Sequence, residues 1–179
     1  SKIKNKINQA KKNHLIFSIT NDIKISNLKE FYKIFLINRK ILGVPAYSFN
    51  FFSEFIINYK KKIYLSNILH QNNVISSSLL LAYDKKVISL FSCSLPISKK
   101  LKSNDFMNIE IINFLYKKGY STYDFGSDSP LQSNLINYKL KWGAKKRHVK
   151  YSYYGNYKIF DHNLNKYIIY KKIIRYLPM

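Results

Sequence analysis

Apolar residues recur along this chain with two periods, and the switches between them mark out its elements. Ile3, Ile7 and Ala10 fall on one helical face while lysines cover the rest, so residues 3–12 read as a short basic helix. Residues 15–19 form a short apolar run, a strand. Leu28, Phe31, Tyr32, Phe35 and Leu36 return to helical spacing. Ser26 stands where an N-cap belongs, and Gly43 and Pro45 close that helix after Leu42. A further helix over 48–60 opens at Ser48 and carries Phe51, Phe52, Phe55 and Ile56.

The middle of the chain is rich in Ile, Val, Leu, Tyr and Ser over 62–69, 74–83 and 86–95, with polar turns at 70–73 and 84–85. This predicts an antiparallel meander that Pro96 stops. Residues 97–103 read as a strongly basic loop. An amphipathic helix follows over 104–118, with Phe106, Ile109, Ile112, Leu115 and Tyr116 inward and Gly119 at its end. Then come a strand at 121–125, a loop at 126–134 and a short helix at 135–139. A hairpin over 149–154 and 157–160 turns at Gly155-Asn156, and a last helix covers 162–177. The order predicts an α+β fold, a mixed and mostly antiparallel sheet flanked by helices.

Composition adds a class and a compartment. A chain of 179 residues with 46% apolar and 16% aromatic residues folds around a core of its own. The lone cysteine, Cys93, excludes an internal disulfide and suits a reducing cytoplasm; its apolar surroundings read as core. No run is long enough to span a membrane, and no apolar h-region follows the basic N-terminus. The first residue is Ser rather than Met, which reads as a piece of a longer protein. Lys and Arg total 31 against 9 Asp and Glu, a net charge of +22. Such a field attracts nucleic acid, phosphorylated substrates or an anionic membrane. Only Arg39, Arg147 and Arg175 are arginines, and with abundant Ile and Asn this is also the pattern of an AT-rich genome.

Candidate chemistry lies in two segments. Tyr123-Asp124-Phe125-Gly126 reads as a strand that ends at a glycine, with Ser127 next. Asp124, at that end, could orient an amine or cap the loop. Tyr138-Lys139-Leu140-Lys141-Trp142-Gly143-Ala144 sets two lysines beside the only tryptophan. Lys141 and Trp142 could flank a phosphate or a base, or Trp142 could anchor the core. Lys139 taken alone reads as a solvated helix lysine. The four histidines have no metal-ligand spacing, so no metal site is expected.

These pieces occur in order with the basic helix of 3–12, Phe31-Tyr32-Lys33-Ile34-Phe35, Leu42-Gly43-Val44-Pro45 with Tyr47 and Phe51-Phe52, Asn104-Asp105 and Lys118-Gly119-Tyr120. Together they resemble the FemAB/FemX-like branch of the GNAT-fold acyltransferases, nearly end to end over the second of that family's two GNAT-like domains. The resemblance implies a basic helix and strand at 1–20, at a junction with an upstream GNAT domain, and a GNAT-like domain at 21–179. It implies amide-bond formation on an amine, with aminoacyl-tRNA as donor, no bound cofactor, and a UDP-linked or lipid-linked peptidoglycan precursor as acceptor. Work would take place in the cytoplasm or at the inner membrane face. Lys139 falls on the family's lysine at the reaction centre, and Tyr138 shapes the pocket. Tyr47, Gly126, Ser127, Lys141 and Trp142 are implied substrate contacts. Ile136 stands where the family often has an aromatic, and Ser127-Asp128 where an arginine often follows the Asp-Phe-Gly segment.

Ordinary GNAT enzymes hold the pyrophosphate of acyl-CoA on a glycine-rich loop at a helix N-terminus. The matching segment here, 97–103, has no glycine and offers Lys99, Lys100 and Lys102 as point charges. That agrees with a tRNA donor; acyl-CoA remains the alternative. Lys4 and Lys11 of the basic helix suit tRNA or a diphosphate. A third reading is a non-catalytic basic module binding RNA or an anionic surface. It draws on the lysines interleaved with Tyr151, Tyr153 and Tyr154.

Overall fold

The computed structural model describes residues 2–150, 152–155 and 165–176. One sheet has the order β1 (Ile16–Thr20), β2 (Ile63–His70), β3 (Asn73–Tyr83), β4 (Lys86–Ser94), β5 (Thr122–Asp124). The first four strands pair antiparallel, and β5 joins β4 in parallel. Gln71 and Asn72 both adopt positive φ, 50° and 61°, which matches a tight hairpin to the twist of its strands.

Two apolar clusters cover the two faces. On one, α1 (Lys2–Lys12) and α5 (Ser103–Lys117) bury Ala10, Phe106, Met107, Ile111 and Leu115 against Ile68, Leu80 and Val87. On the other, α2 (Ile25–Leu42) and α3 (Phe49–Tyr59) bury Phe31, Phe35 and Phe52 against Leu65, Leu79 and Cys93. Phe52 meets Phe31 and Phe35 edge-on, with centroids 5.2 and 5.0 Å apart. α1 belongs to this core and β1 to this same sheet. The chain is completed by α4 (Ile97–Leu101), α6 (Ser133–Leu140) and α7 (Asn165–Tyr176), the last against α2. The fold is the expected mixed, mostly antiparallel sheet flanked by helices.

Several local expectations are corrected. Ser26 lies inside α2; Asn27 Oδ1 instead accepts the Lys24 N–H at 3.1 Å. Ser48 does cap α3, accepting the Phe51 N–H at 3.2 Å. The buried face of α5 turns toward Met107 and Ile111, because α1 packs against it, and Tyr116 is left 82% exposed. The expected basic loop at 97–103 is mostly helix. Ser98 and Ser103 turn inward onto Ser76, at 3.0 and 2.6 Å, and Lys102 takes a left-handed φ of 58° between α4 and α5. Residues 149–150 and 152–154 form no strand, and 156–160, the rest of the expected hairpin, lie outside the described residues.

Two features of β4 set up the site. Leu79 pairs with Phe91 and Leu80 with Ser89, so Leu90 is an extra, bulged residue. Parallel pairing with β5 involves only Lys86, Val87 and Ile88. Beyond Ile88 the two strands part, and the β5-facing edge of β4 has no strand partner.

Gly43 ends α2 with φ 67°, and a Cβ there would lie 2.6 Å from the Lys171 carbonyl oxygen of α7. Gly43→Ala is therefore expected to lower the unfolding free energy by at least about 1 kcal/mol and to open α7 to trypsin. An unchanged melting temperature and digestion pattern would show that α7 does not rest on that turn.

Candidate active site

A cleft of about 530 Å³ opens where β4 and β5 diverge. Its floor is the free part of β4, including Ser89, Ser92 and Cys93. Asn38 and Arg39 of α2 form one wall, and Asn104 and Asn108 of α5 close the inner end. The outer wall is the loop at 125–128 together with Tyr138 and Lys139 of α6.

Lys139 ties that outer wall together. Its Nζ donates to the Gly126 carbonyl at 2.9 Å and pairs with Asp128 Oδ2 at 2.6 Å. The two side chains are only 16% and 11% exposed. An ammonium has three N–H donors, so one remains for a ligand. Gly126 has φ 77°, and a Cβ on it would stand 2.9 Å from the Ser89 carbonyl oxygen. Glycine at this position lets the loop cross closely over β4.

Tyr138 anchors α6 to the core. Its hydroxyl accepts from Asn108 Nδ2 at 2.9 Å. Burial, and then the Asp105 carboxylate, push its phenol well above the ordinary tyrosine range, so it stays protonated. Asp105 is itself paired with Lys6 at 3.3 Å. Trp142 is close enough to temper that rise, yet its indole N–H is buried without a partner of good geometry among the described residues. Behind the cleft floor, the hydroxyls of Ser78, Ser89 and Ser92 form a triangle with edges of 3.1, 2.8 and 2.9 Å. Burial pushes the Cys93 thiol up to about 12, so it is a neutral wall group and no nucleophile.

Of the residues singled out from sequence, the structure brings Gly126, Ser127, Tyr138 and Lys139 to the cleft. Asp124 does not line it. The side chain of Asp124 accepts the Gly126 N–H at 2.8 Å and so caps the loop that Lys139 holds. Lys141 and Trp142 lie just past α6, outside the lining. Tyr47 is 51% exposed and reaches the site only through Phe91, whose ring it meets edge-on at 5.7 Å. Lys99 and Lys100 are exposed on α4, as are Lys4 and Lys11 on α1, and Lys102 is the turn between α4 and α5. Arg39 is the cleft residue that the sequence reading passed over. The available signal was an arginine four positions after buried Phe35, in a chain that otherwise uses lysine. No cluster able to hold a metal ion occurs among the described residues.

No family model matches the sequence, and no curated protein does. Solved structures match the fold. An aminoglycoside acetyltransferase from an uncultured soil metagenomic sample, in complex with sisomicin, superposes with a TM-score of 0.64. Its identity is 9%, over 81% of this chain and 99% of that one. FemX superposes at 0.69 with 14% identity over 80% of this chain and 53% of its own, so this chain spans about half of FemX. The C-terminal domain of a putative lysylphosphatidylglycerol synthetase from Agrobacterium fabrum gives 0.59 and 11%, over 79% of this chain and 46% of that one. At these identities the likeness is one of fold, and the fold is that of the N-acetyltransferases.

The thiol yields a pH test. Cys93 keeps its proton in the native state to about pH 12, against 9.0 ordinarily. Both states are protonated below pH 9. Above it the unfolded chain sheds a proton that the native chain keeps, so stability falls as pH rises toward 12. From pH 8.5 to 10.5 the wild type should lose about 2 kcal/mol more than Cys93→Ala in urea unfolding. Equal losses would place the thiol in a solvated setting.

Proposed function

We propose that this chain forms an amide bond, moving an acyl or aminoacyl group onto an amine held in the cleft. The observation that carries this reading is the parted β4–β5 pair with Lys139 clamped across its outer wall. An unpaired strand edge offers backbone donors and acceptors to an extended donor chain, as in strand addition. The amine attacks the donor carbonyl carbon. A C–N bond forms, and charge gathers on the carbonyl oxygen as a tetrahedral oxyanion. The free N–H of Lys139 is the cation-borne donor placed to receive that charge. Collapse breaks the bond to the leaving group, and the proton lost from the amine leaves with it. Asp128 and the Gly126 carbonyl hold Nζ in place at the moment of reaction, which is what preorganisation requires. Tyr138, protonated and bound to Asn108, positions α6 beneath Lys139.

For the donor we favour aminoacyl-tRNA over acyl-CoA. The segment matching the pyrophosphate loop has no glycine and is folded into α4, with Ser98 and Ser103 filling the space over Ser76. The first turn of α5 carries the buried carboxylate of Asp105, already paired with Lys6, where a pyrophosphate cradle would need free backbone N–H groups. The +22 charge and the exposed lysines of α1 and α4 favour RNA. A UDP-linked or lipid-linked cell-wall acceptor, an upstream GNAT domain and a cytoplasmic or inner-membrane setting rest on the motif resemblance. No helix among the described residues is long and apolar enough to cross a membrane.

The test is a mass-shift assay with the chain in its full-length protein, UDP-muramyl-pentapeptide as acceptor, and either aminoacyl-tRNA or acetyl-CoA. An amino-acid increment is expected with tRNA alone. An acetyl increment would transfer the reading to acyl-CoA. No increment from either would remove the muramyl-peptide acceptor. In the active pairing, Lys139→Ala should lower turnover about 10²–10³-fold without lowering the melting temperature. A wild-type rate in that variant would remove Lys139 from the reaction.

A further inference from the structure

Three charged side chains line the cleft: Arg39, Asp128 and Lys139. Asp128 and Lys139 neutralise one another. Arg39 forms no ion pair among the described residues, although it stands in a wall that a ligand must touch. Its guanidinium carbon lies over the Phe35 ring, 4.7 Å from the centroid, a cation–π contact that holds the group against the wall. Beside it Asn38 donates to the Ser94 carbonyl at 3.1 Å, which pins this turn of α2 over the end of β4. The Arg39 Nε–H is fully buried and has no acceptor among the described residues. A buried donor left unpaired is costly, and a native fold retains one where function uses the group that carries it. The Cys93 thiol, which feels the Arg39 charge, stays neutral through burial and offers no counter-charge.

We propose that Arg39 is the seat for an oxyanion on the substrate, a carboxylate or a phosphate monoester received by its two terminal N–H groups. A planar fork held against the wall suits two oxygens of one group, a geometry that a lysine cannot reproduce. The assignment of this oxyanion to the acceptor amine rests on the transfer reading above. It makes the substrate class acidic amines, with the anion on the α2 wall and the amine toward Lys139. The exposed lysines attract anions diffusely and in a salt-sensitive way; Arg39 acts from a partly desolvated cleft.

Binding can be read without any transfer chemistry. The ¹⁵N-labelled chain is titrated at physiological ionic strength with phosphoethanolamine, β-alanine and ethanolamine, following the Arg39 Nε–H signal and the amides of Ser89 and Gly126. The anionic probes are expected to shift these signals, and ethanolamine is not. A response to phosphoethanolamine alone assigns phosphate, and one to β-alanine alone assigns carboxylate. Arg39→Gln should weaken binding at least about tenfold. Arg39→Lys, which keeps the charge and guards against a folding defect in the first variant, should recover only part of it. Lys61→Gln with Lys62→Gln, both exposed and away from the cleft lining, should leave binding within about twofold. Wild-type affinity in both Arg39 variants, equal binding of ethanolamine, or shifts confined to surface amides would overturn the proposal. A protein that binds this way but transfers nothing keeps the oxyanion seat and loses the transferase reading. One that transfers equally well to neutral amines, and is indifferent to Arg39→Gln, does the reverse.

Discussion

Parallel pairing between β4 and β5 stops after Ile88, and the site follows from that limit. Two backbone features enforce it. Leu90 is an extra residue on β4, which bends the strand and increases its twist just where β5 would otherwise continue beside it. On the other side, β5 ends at Asp124 and the chain crosses over Ser89 at Gly126, so closely that no Cβ fits. Together they leave a strand edge inside the domain that is neither paired nor blunted. Such an edge is a liability in most proteins. Here it is enclosed by α2, α5 and α6, which keeps other strands away and leaves room for a small extended ligand. Lys139 stabilises the opening from outside by joining α6 to the crossing loop.

A cleft floor must also resist collapse, and the sheet interior does this in an unusual way. Ser66, Ser76, Ser77 and Ser78 are all buried at the centre of β2 and β3, where a sheet covered on both faces normally carries branched apolar side chains. Each finds a hydrogen-bond partner: Ser66 the Ser78 carbonyl, Ser76 the hydroxyls of Ser98 and Ser103, Ser77 the Asn67 side chain, Ser78 those of Ser89 and Ser92. Net gains of about 0.5–1.5 kcal/mol per bond are modest, but leaving any one unmade would cost more. The consequence is positional. The hydroxyls fix α4, the start of α5 and the bent part of β4 to one another, while the apolar clusters on the two faces of the sheet supply the burial.

Much of this was legible because periodicity reports burial directly. The meander, α2 with its Gly43 stop and α3 with its Ser48 cap all follow from local pattern. The failures share a cause. The segment at 97–103 looks like a loop because its lysines dominate the pattern, yet what decides its structure is Ser98 and Ser103 reaching Ser76 more than twenty residues away. Tyr116 was placed inward by period alone, but the partner that sets the buried face of α5 is α1, almost a hundred residues earlier. Arg39 gave only a faint signal, an arginine in a chain that otherwise uses lysine, for the same reason. Its importance lies in having no counter-charge across a cleft, and absence of a partner has no signature in a linear string.

The charge distribution sharpens the functional reading. The chain carries +22, yet among the described residues the cleft lining has a single uncompensated positive charge, at Arg39. The lysines that make the chain basic therefore act outside the cleft, on surfaces where salt screens them within about 10 Å. A large polyanion can use such a surface, because it meets many exposed charges at once. A small anionic substrate cannot, and it must rely on the cleft. The two scales of charge fit two different ligands: an extended polyphosphate chain outside and one compact oxyanion within. A coenzyme with its pyrophosphate at the start of α5 would need its cations next to the cleft's inner end, where Asn104 and Asn108 stand and Asp105 lies behind them. Lys6 neutralises Asp105 there, and it is the missing glycines that argue against such a coenzyme.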